Sequence, residues 1–289
     1  MAPLLQSARS RGAPELLECV VNVSEGRDQD VLARLADRCA SALLDVHSDP
    51  DHNRSVFTLA CERERLMGAV RRLAEEVVQS IDLTRHLGAH PRFGSLDVVP
   101  WVALQGWPVE DRASIEPAKR ARDAFASWAA SALDLPVFLY GPERSLPEVR
   151  KQAWVSRSPD LGPSEPHPSA GSSAVGCRPL MVAYNLWLAE ANLAQARRVA
   201  AAVRSPQVRA LAFWLRGAVQ VSCNLIAPFE LGPAEVADRV SALAKVERAE
   251  LVGLVPKGVL EKIPRERWQQ LDLSAEQSIE ARLEAASGP

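Results

Sequence analysis

The sequence predicts an α+β fold of two ferredoxin-like (βαββαβ) subdomains. Segments with the hydrophobic spacing of strands alternate along the chain with segments that have the spacing of amphipathic helices. The order strand-helix-strand-strand-helix-strand, which is that of a ferredoxin-like sandwich, occurs in each half. We therefore expect two mainly antiparallel sheets backed by helices. The cleft between two such subdomains is a usual place for a ligand.

The first half begins with a valine-rich apolar run that is typical of a buried strand, and Ser24 is the expected N-cap of the helix that follows. The predicted strands are LLECVVNV, LLDVHS, SVFTLAC, LDVVPWVAL and LPVFLYG. The helix that follows SVFTLAC carries one apolar face, formed by Leu66, Val70, Leu73 and Val77. Residues 142–176 are rich in Pro, Ser and Gly, and we expect a long loop there that is either functional or disordered.

The second half repeats the pattern. Strands are expected at PLMVAYNLWL, VRALAFWLRG, AVQVSCNLI and AELVGLVP, with a turn at Gly217 between the second and the third. The helices are ANLAQARRVAAAVR and GPAEVADRVSALAKVE. The predicted organisation is a disordered leader over residues 1–15, an N-terminal subdomain over residues 16–178 and a C-terminal subdomain over residues 179–289.

The composition narrows the class of protein. A formal net charge of −2 argues against broad nucleic-acid binding, which usually shows a basic surplus. No apolar run approaches the ~20 residues that span a bilayer. The five cysteines are far apart and contain no CxxC pair, which favours reduced and mostly buried thiols in a cytoplasm.

Four loops contain several charged side chains. Each loop could form a binding or catalytic site, or it could be an ordinary structural feature. NVSEGRD could hold an anion on free amides around Gly26, or it could be an ordinary helix start. HSDPDHNR could be an ordinary turn. The stretch RHLGAHPRFGSLDVVP joins ionisable residues to a buried strand, and DLGPSEPHPSAGSSAVGCR could be a solvated linker.

His90 is the candidate general base, because an unperturbed histidine can take and return a proton near neutral pH. Metal binding by His86 and His90 is disfavoured, since Gly88 and Pro91 oppose a helix that would put both rings on one face. Arg92 points the same way as His90 in an extended segment and could hold a carboxylate. A structural histidine stays open, and no GxSxG, P-loop or GxGxxG motif follows a strand.

These loops give the chain a resemblance to the formiminotransferase domain family, the glutamate formimidoyltransferases of histidine degradation. The matching motifs are ECVVNVSEGRD, LLDV with NRSVFT, RHLGAHPRFGSLDVVP, LPVFLYG, DLGPS with GCRPLMVAYN, and LVGLVP. They lie in order and cover most of residues 17–256. The HPRxGxxDV and SEGR stretches are the most specific of them.

The resemblance implies a substrate tunnel between the subdomains, a homodimer, and small-molecule substrates. The composition adds the expectation of a cytoplasmic protein with no nucleic acid or membrane partner. The resemblance also implies transfer of the formimino group from N-formimino-L-glutamate to tetrahydrofolate as co-substrate, without a metal. His90 falls on the family's catalytic histidine. The family's folate-contacting loop falls on Gly162, Pro163, Ser164, Ser169 and Gly171. Because both substrates are anions, arginines are expected at the tunnel, namely Arg27, Arg54, Arg92 and Arg178.

At three positions this chain has a different residue from the family's animal members, and these differences bear on which substrates it binds. His47 replaces an acidic residue, Ala170 replaces a tryptophan in the folate loop, and Pro179 replaces a lysine. Losing an aromatic face costs on the order of 1 kcal/mol of ring contact. The alternative function is therefore a divergent family member, with another substrate or with a non-catalytic folate- or anion-binding role.

Overall fold

The computed structural model of the chain describes residues 15–106, 108–110, 113–215 and 217–287. It contains two sheets and divides into two compact units. The first unit is formed by the described residues of Met1–Gln105 and Ala113–Arg178, and the second by those of Gly106–Arg112 and Pro179–Pro289. The α+β class with one sheet in each unit is confirmed.

Most of the predicted leader over residues 1–15 lies outside the described residues. Glu15 is described, and it is held at the start of the first strand. Its carbonyl accepts a hydrogen bond from the amide of Arg63 (3.0 Å), and its carboxylate pairs with Arg63 and Arg120.

The first unit holds a six-stranded sheet of order β2-β3-β1-β4-β6-β5. Its strands are β1 Leu16–Val23, β2 Leu43–Asp49, β3 Arg54–Glu62, β4 Leu96–Ala103, β5 Val137–Tyr140 and β6 Ser173–Cys177. Its helices are α1 Gln29–Cys39, α2 Arg63–Ser80, α3 Glu116–Ala132 and α4 Leu146–Gln152. Strands β1 to β4 pair antiparallel, whereas β6 is parallel to both β4 and β5.

One face of this sheet packs against the long helices and forms the main core of the unit. The predicted apolar face of α2 is confirmed, because its four residues are all fully buried there, namely Leu66, Val70, Leu73 and Val77. Strand residues alternate between faces, so the cross-strand neighbours Asn22, Val56 and His47 lie on the opposite face. Arg54 lies on that opposite face as well, two residues before Val56.

The predicted N-cap at Ser24 is wrong. Helix α1 begins at Gln29, and Asp28 is its N-cap, because the Asp28 carboxylate accepts from the amides of Asp30 and Val31. Ser24 instead donates from Oγ to the carbonyl of Gly94 (2.8 Å). A turn between Ser24 and Asp28 separates the strand from the helix. Serine and aspartate are both favoured N-cap residues, so residue type alone did not distinguish Asp28 from Ser24.

The prediction of a long loop over residues 142–176 is also wrong. This stretch contains α4, which begins with a capping box between Ser145 and Glu148, and all but the last residue of β6. Helix α4 has only two turns, too few to show a hydrophobic period. Strand β6 is built of small residues, and it is buried because it lies between β4 and β5.

The second unit holds a four-stranded antiparallel sheet of order β10-β7-β9-β8. Its strands are β7 Val182–Leu188, β8 Val208–Leu215, β9 Ala218–Leu225 and β10 Val246–Val252. Its helices are α5 Leu193–Val203, α6 Pro233–Ser241, α7 Lys257–Leu260 and α8 Ile279–Ala286. The predicted turn at Gly217 is confirmed, and its φ of 83° is a conformation that glycine adopts at no steric cost.

Helices α7 and α8 follow the last strand and were not predicted. The buried carboxylate of Glu280 in α8 accepts hydrogen bonds from the amides of Val109 and Lys257, both at 2.8 Å. The segment around Val109, which the sequence prediction assigned to the first subdomain, is thereby anchored within the second unit. None of the helices in the described residues has the length and apolar character to cross a membrane.

Candidate active site

The histidine-rich loop of the first unit, residues 81–95, is named here the His90 loop. It is docked on the turn between β2 and β3. Nδ2 of Asn53 donates to the carbonyl of Leu87 (3.0 Å), and Nε2 of His86 donates to the carbonyl of Asn53 (3.1 Å). Asn53 has a φ of 46°, a left-handed conformation that asparagine tolerates better than most residues. The second and third charged loops are therefore brought together.

His90 is oriented by its own loop. Its Nδ1 lies 2.6 Å from the carbonyl oxygen of Pro91. Because a carbonyl only accepts, Nδ1 carries the proton and the basic lone pair is on Nε2. The ring of His52 meets the His90 ring edge to face, with 5.7 Å between the centroids. The proton-accepting atom of His90 is therefore Nε2.

The surroundings of His90 keep its ring neutral. Burial lowers the pKa of His90 to about 3, and the positive charges of Arg54 and Arg150 act in the same direction. The carboxylate of Asp97 and the hydrogen bond to Pro91 oppose this change. At neutral pH the imidazole is therefore present in the form that accepts a proton.

A buried carboxylate lies next to this loop. Asp97 is the extra residue of a bulge in β4, because Asn22 pairs with Val98 while Val23 pairs with Leu96. Such bulges re-aim a side chain and are over-represented near active sites. The Asp97 side chain is fully buried, and we name it with its two arginine partners the Asp97 cluster: Arg54, Asp97 and Arg150.

The Asp97 cluster gathers side chains from three separate elements. One carboxylate oxygen, Oδ2, accepts from Arg54 of β3 and from Arg150 of α4, the latter at 3.1 Å. The other, Oδ1, accepts from the amide of Phe93 (2.5 Å). Arg54 also donates to Oδ1 of Asn22 (2.7 Å). Burial by itself would raise the pKa of Asp97, but the two guanidinium groups hold it below its usual value.

Sequence reasoning selected Arg54 but missed Asp97 and Arg150. A signal for Asp97 was present, because an aspartate inside the apolar run LDVVPW must find a partner when the strand is buried. Arg150 gave no such signal, since its helix was not predicted.

Arg92 closes the His90 loop on itself. Its guanidinium donates to the carbonyls of His90 (2.7 Å) and Gly88 (2.8 Å), and it contacts Nδ1 of His86. Arg92 therefore lies near His90, as expected, but its donors are directed at the backbone. A role in holding a substrate carboxylate stays a prediction.

Of the two interpretations of NVSEGRD, the one with free amides around Gly26 is contradicted by the structure. Oε1 of Glu25 accepts from the amides of Gly26, Arg27 and Asp28 at 2.7 to 3.0 Å. The chain therefore places its own carboxylate where that interpretation would place an anion. The side chain of Arg27 is exposed and donates from Nε to the carbonyl of Pro50 (2.7 Å).

Arg178 follows β6 and is half-buried. Its amide donates to the carbonyl of Trp101 (3.1 Å). Burial raises the pKa of Tyr140, and the positive charge of Arg178 acts against that change. The positive charge of Arg178 is therefore close enough to β5 to act on the Tyr140 hydroxyl.

The predicted folate loop has two ends with different contacts. Gly162, Pro163 and Ser164 are exposed and follow the bridge of Leu161 to β5. Ser169 and Gly171 instead contact the His90 loop. The carbonyl of Ser169 accepts from the amide of Leu83 (2.8 Å), and Gly171 forms a bridge with Gly94. One end of this loop is therefore brought to the His90 loop and the other is not.

The three departures differ in their settings. Ala170 is fully buried and belongs to the main core of the first unit. His47 lies in β2 on the same sheet face as Arg54, and Pro179 is exposed before β7.

Across the described part of the chain, no group of three or more His, Cys, Asp or Glu residues is arranged to hold a metal ion. The five cysteines are free thiols, of which only Cys61 is not buried.

The sequence of the chain matches that of a known class of protein. Residues 16–178 match the family described as the formiminotransferase domain, N-terminal subdomain. The chain is also 34% identical to the glutamate formimidoyltransferase of Thermoplasma acidophilum, over 94% of this chain and 98% of that protein. The chain therefore belongs to the formiminotransferase family. The predicted family and the predicted enzyme class, a formimidoyltransferase, are confirmed.

Two further relatives differ in length. The formimidoyltransferase-cyclodeaminase of Sus scrofa is 33% identical over 84% of this chain, and the chain spans 50% of that protein. The glutamate formimidoyltransferase of Streptococcus pyogenes serotype M1 is 32% identical over 73% of this chain and 78% of its own length.

Proposed function

We propose that the protein transfers the formimino group from N-formimino-L-glutamate to tetrahydrofolate, with His90 as the general base. The products are 5-formiminotetrahydrofolate and glutamate, which places the reaction in histidine degradation and one-carbon metabolism. The names of the relatives from Thermoplasma acidophilum and Streptococcus pyogenes support the glutamate-derived donor. The observation that carries the role of His90 is the hydrogen bond from Nδ1 to Pro91, which leaves Nε2 as the basic atom.

The chemistry needs one group that moves a proton twice. N5 of tetrahydrofolate attacks the amidine carbon of the donor, and Nε2 of His90 takes the N5 proton. The same proton then goes to the departing nitrogen, so that the tetrahedral intermediate releases glutamate as a neutral amine. General acid–base catalysis of this kind contributes roughly 10²–10⁴-fold. Alignment of the two substrates supplies much of the remaining acceleration.

Positive charge close to His90 suits anionic substrates. The guanidinium groups of Arg54 and Arg150 lower the pKa of His90. A substrate carboxylate that approaches Arg54 offsets its charge, so the basicity of Nε2 rises when the substrates bind. The base is therefore neutral before binding and stronger in the complex.

The proposal includes the substrate contacts and the assembly. Arg27, Arg54, Arg92 and Arg178 bind substrate carboxylates, and the folate is contacted by Gly162, Pro163, Ser164, Ser169 and Gly171. It also includes ferredoxin-like subdomains with the substrate cleft between them, a cytoplasmic homodimer, and no metal. The shared 4-1-3-2 order of β1–β4 and of β7–β10 supports the ferredoxin-like part.

The test is glutamate release by the purified protein with formiminoglutamate and tetrahydrofolate supplied together. We expect release to require both substrates and His90→Ala to lower kcat by roughly 10²–10⁴-fold. Leu87→Ala is the matched control, because Leu87 lies in the same loop and the residue is 78% exposed. It should change kcat by less than about twofold.

Two results would count against the proposal. Activity of His90→Ala within about fivefold of the wild type would exclude general-base catalysis of this size. Absence of release, while tetrahydrofolate still raises Tm, would favour the divergent reading, with a different donor at a retained folate site.

A further inference from the structure

The carbonyl oxygen of Pro91 accepts two hydrogen bonds. One comes from Nδ1 of His90 at 2.6 Å, and the other comes from Nη1 of Arg150 at 3.2 Å. Arg150 lies in α4, the short helix inside the stretch that was expected to be a loop. A single oxygen atom therefore connects the imidazole of His90 with a guanidinium group more than 50 residues away in the sequence.

Arg150 is held on two further sides. Its Nη2 donates to Oδ2 of Asp97 (3.1 Å), and its guanidinium carbon lies 4.7 Å from the centroid of the Phe93 ring. Charge-assisted hydrogen bonds and cation–π contacts both favour a defined guanidinium orientation. Because Phe93 also donates its amide to Asp97 (2.5 Å), these three residues hold one another in place.

We propose that Arg150 is a positioning residue for His90. This inference rests on the proposed function, in which Nε2 of His90 moves the proton. Arg150 holds the Pro91 carbonyl in the position where it accepts the hydrogen bond from Nδ1 of His90. The tautomer with a basic Nε2 is thereby maintained. Arg150 acts through Pro91 and His90 and does not contact the reacting atoms.

The charge of Arg150 acts on the same ring. The charged and titratable groups around His90 include Arg54 on β3, Asp97 on β4, Arg150 on α4, His52 in the β2–β3 turn, and Arg92 in the His90 loop. Burial is the largest cause of the lowered pKa of His90, and Arg54 and Arg150 add to it while Asp97 opposes it. Loss of Arg150 should therefore raise the pKa of His90.

The direct test is ¹⁵N NMR of histidine-labelled protein, with Arg150→Met compared to the wild type. The spectrum of His90→Gln identifies the His90 signal. At pH ~7 the wild type should show the tautomer protonated at Nδ1. Arg150→Met should show a substantial share of the tautomer protonated at Nε2, and a raised pKa of His90.

Lys151→Met is the matched control, because Lys151 is the exposed neighbour of Arg150 on the same helix. It should leave the tautomer and the pKa unchanged. Kinetics with both substrates should show a fall in kcat of about tenfold for Arg150→Met, with each KM changed by less than about threefold. Arg150→Lys keeps the charge but not the planar fork, so it should retain the low pKa and only part of kcat.

An unchanged His90 tautomer in Arg150→Met would overturn the inference, whatever happened to kcat. If Arg150→Met did not fold, the same NMR measurement on Arg150→Lys would decide, because an unchanged His90 tautomer there would equally contradict the need for the fork. The NMR experiment uses no substrate. Failure of the proposed reaction would therefore be distinguishable from failure of the positioning role.

Discussion

The two units each contain a buried carboxylate, and the two carboxylates have different partners. Asp97 in the first unit is bound by two guanidinium groups and one amide, whereas Glu280 in the second unit accepts from two backbone amides. Both side chains are almost completely buried. A carboxylate that binds amides fixes the path of the chain. A carboxylate that binds arginines also sets the local charge, and in the first unit that charge acts on His90.

Loss of the Asp97 carboxylate should have the largest effect. Asp97→Asn leaves Arg54 and Arg150 without their counter-charge, and breaking a buried pair costs about 3–5 kcal/mol of unfolding free energy. Urea denaturation measures this change. We also expect glutamate release to fall at least tenfold in protein that is still folded at the assay temperature. Retention of both stability and activity would show that the Asp97 cluster does not organise the site.

Glu280→Gln is the matched change in the second unit and should have a smaller effect. The new amide group keeps one acceptor oxygen, so one of the two backbone donors, Val109 or Lys257, is left without its partner. We expect a loss of about 1–3 kcal/mol of unfolding free energy in urea. Because the carboxylate holds only the backbone, kcat should stay within about twofold of the wild type. A tenfold fall in kcat would remove the distinction between the two carboxylates.

The smallest expected effect concerns pH. The pKa of His90 is about 3 in the folded protein, whereas an unfolded histidine titrates near ~6.5. The unfolded chain therefore binds the extra proton first, and stability is lost as pH falls from ~6.5 toward 3. His90→Gln removes this contribution and should reduce the loss of stability between pH ~7 and ~5 by on the order of 1 kcal/mol.

Urea denaturation at both pH values measures this difference. Lys151→Met should follow the wild type, because it changes an exposed side chain that takes no part in the Asp97 cluster. An equal loss of stability in His90→Gln and the wild type would show that the His90 ring has an ordinary pKa.

Local patterns predicted the elements that are long or strongly periodic. The strand predicted at LLECVVNV has the observed bounds Leu16–Val23, and the apolar face of α2 is buried as expected. The same patterns failed for α4 and β6, which are short. The periodic signal grows with length, whereas a five-residue strand such as β6 gains its stability from the two strands beside it.

The residues of the candidate site also divide into those that the sequence predicted and those that it did not. His90, Arg54 and Arg92 were selected from the sequence because their residue types and motif indicate chemistry. The partners of Asp97 were not, since Arg54 lies 43 residues away and Arg150 lies 53 residues away. The amides around Gly26 show the converse, because a motif typical of an anion site is satisfied by the adjacent Glu25.

The sequence by itself determined the α+β class, the family, the loops that carry charge and the histidine proposed to do the chemistry. These are properties of residue type and spacing, and they can be read locally. Only the tertiary structure decided the tautomer of His90, the partners of Asp97 and the connection from Arg150 to Pro91. Hydrogen bonds and burial depend on which distant segments of the chain contact each other. Here the position of β6 in the sheet and the packing of α4 beside the His90 loop determine those contacts.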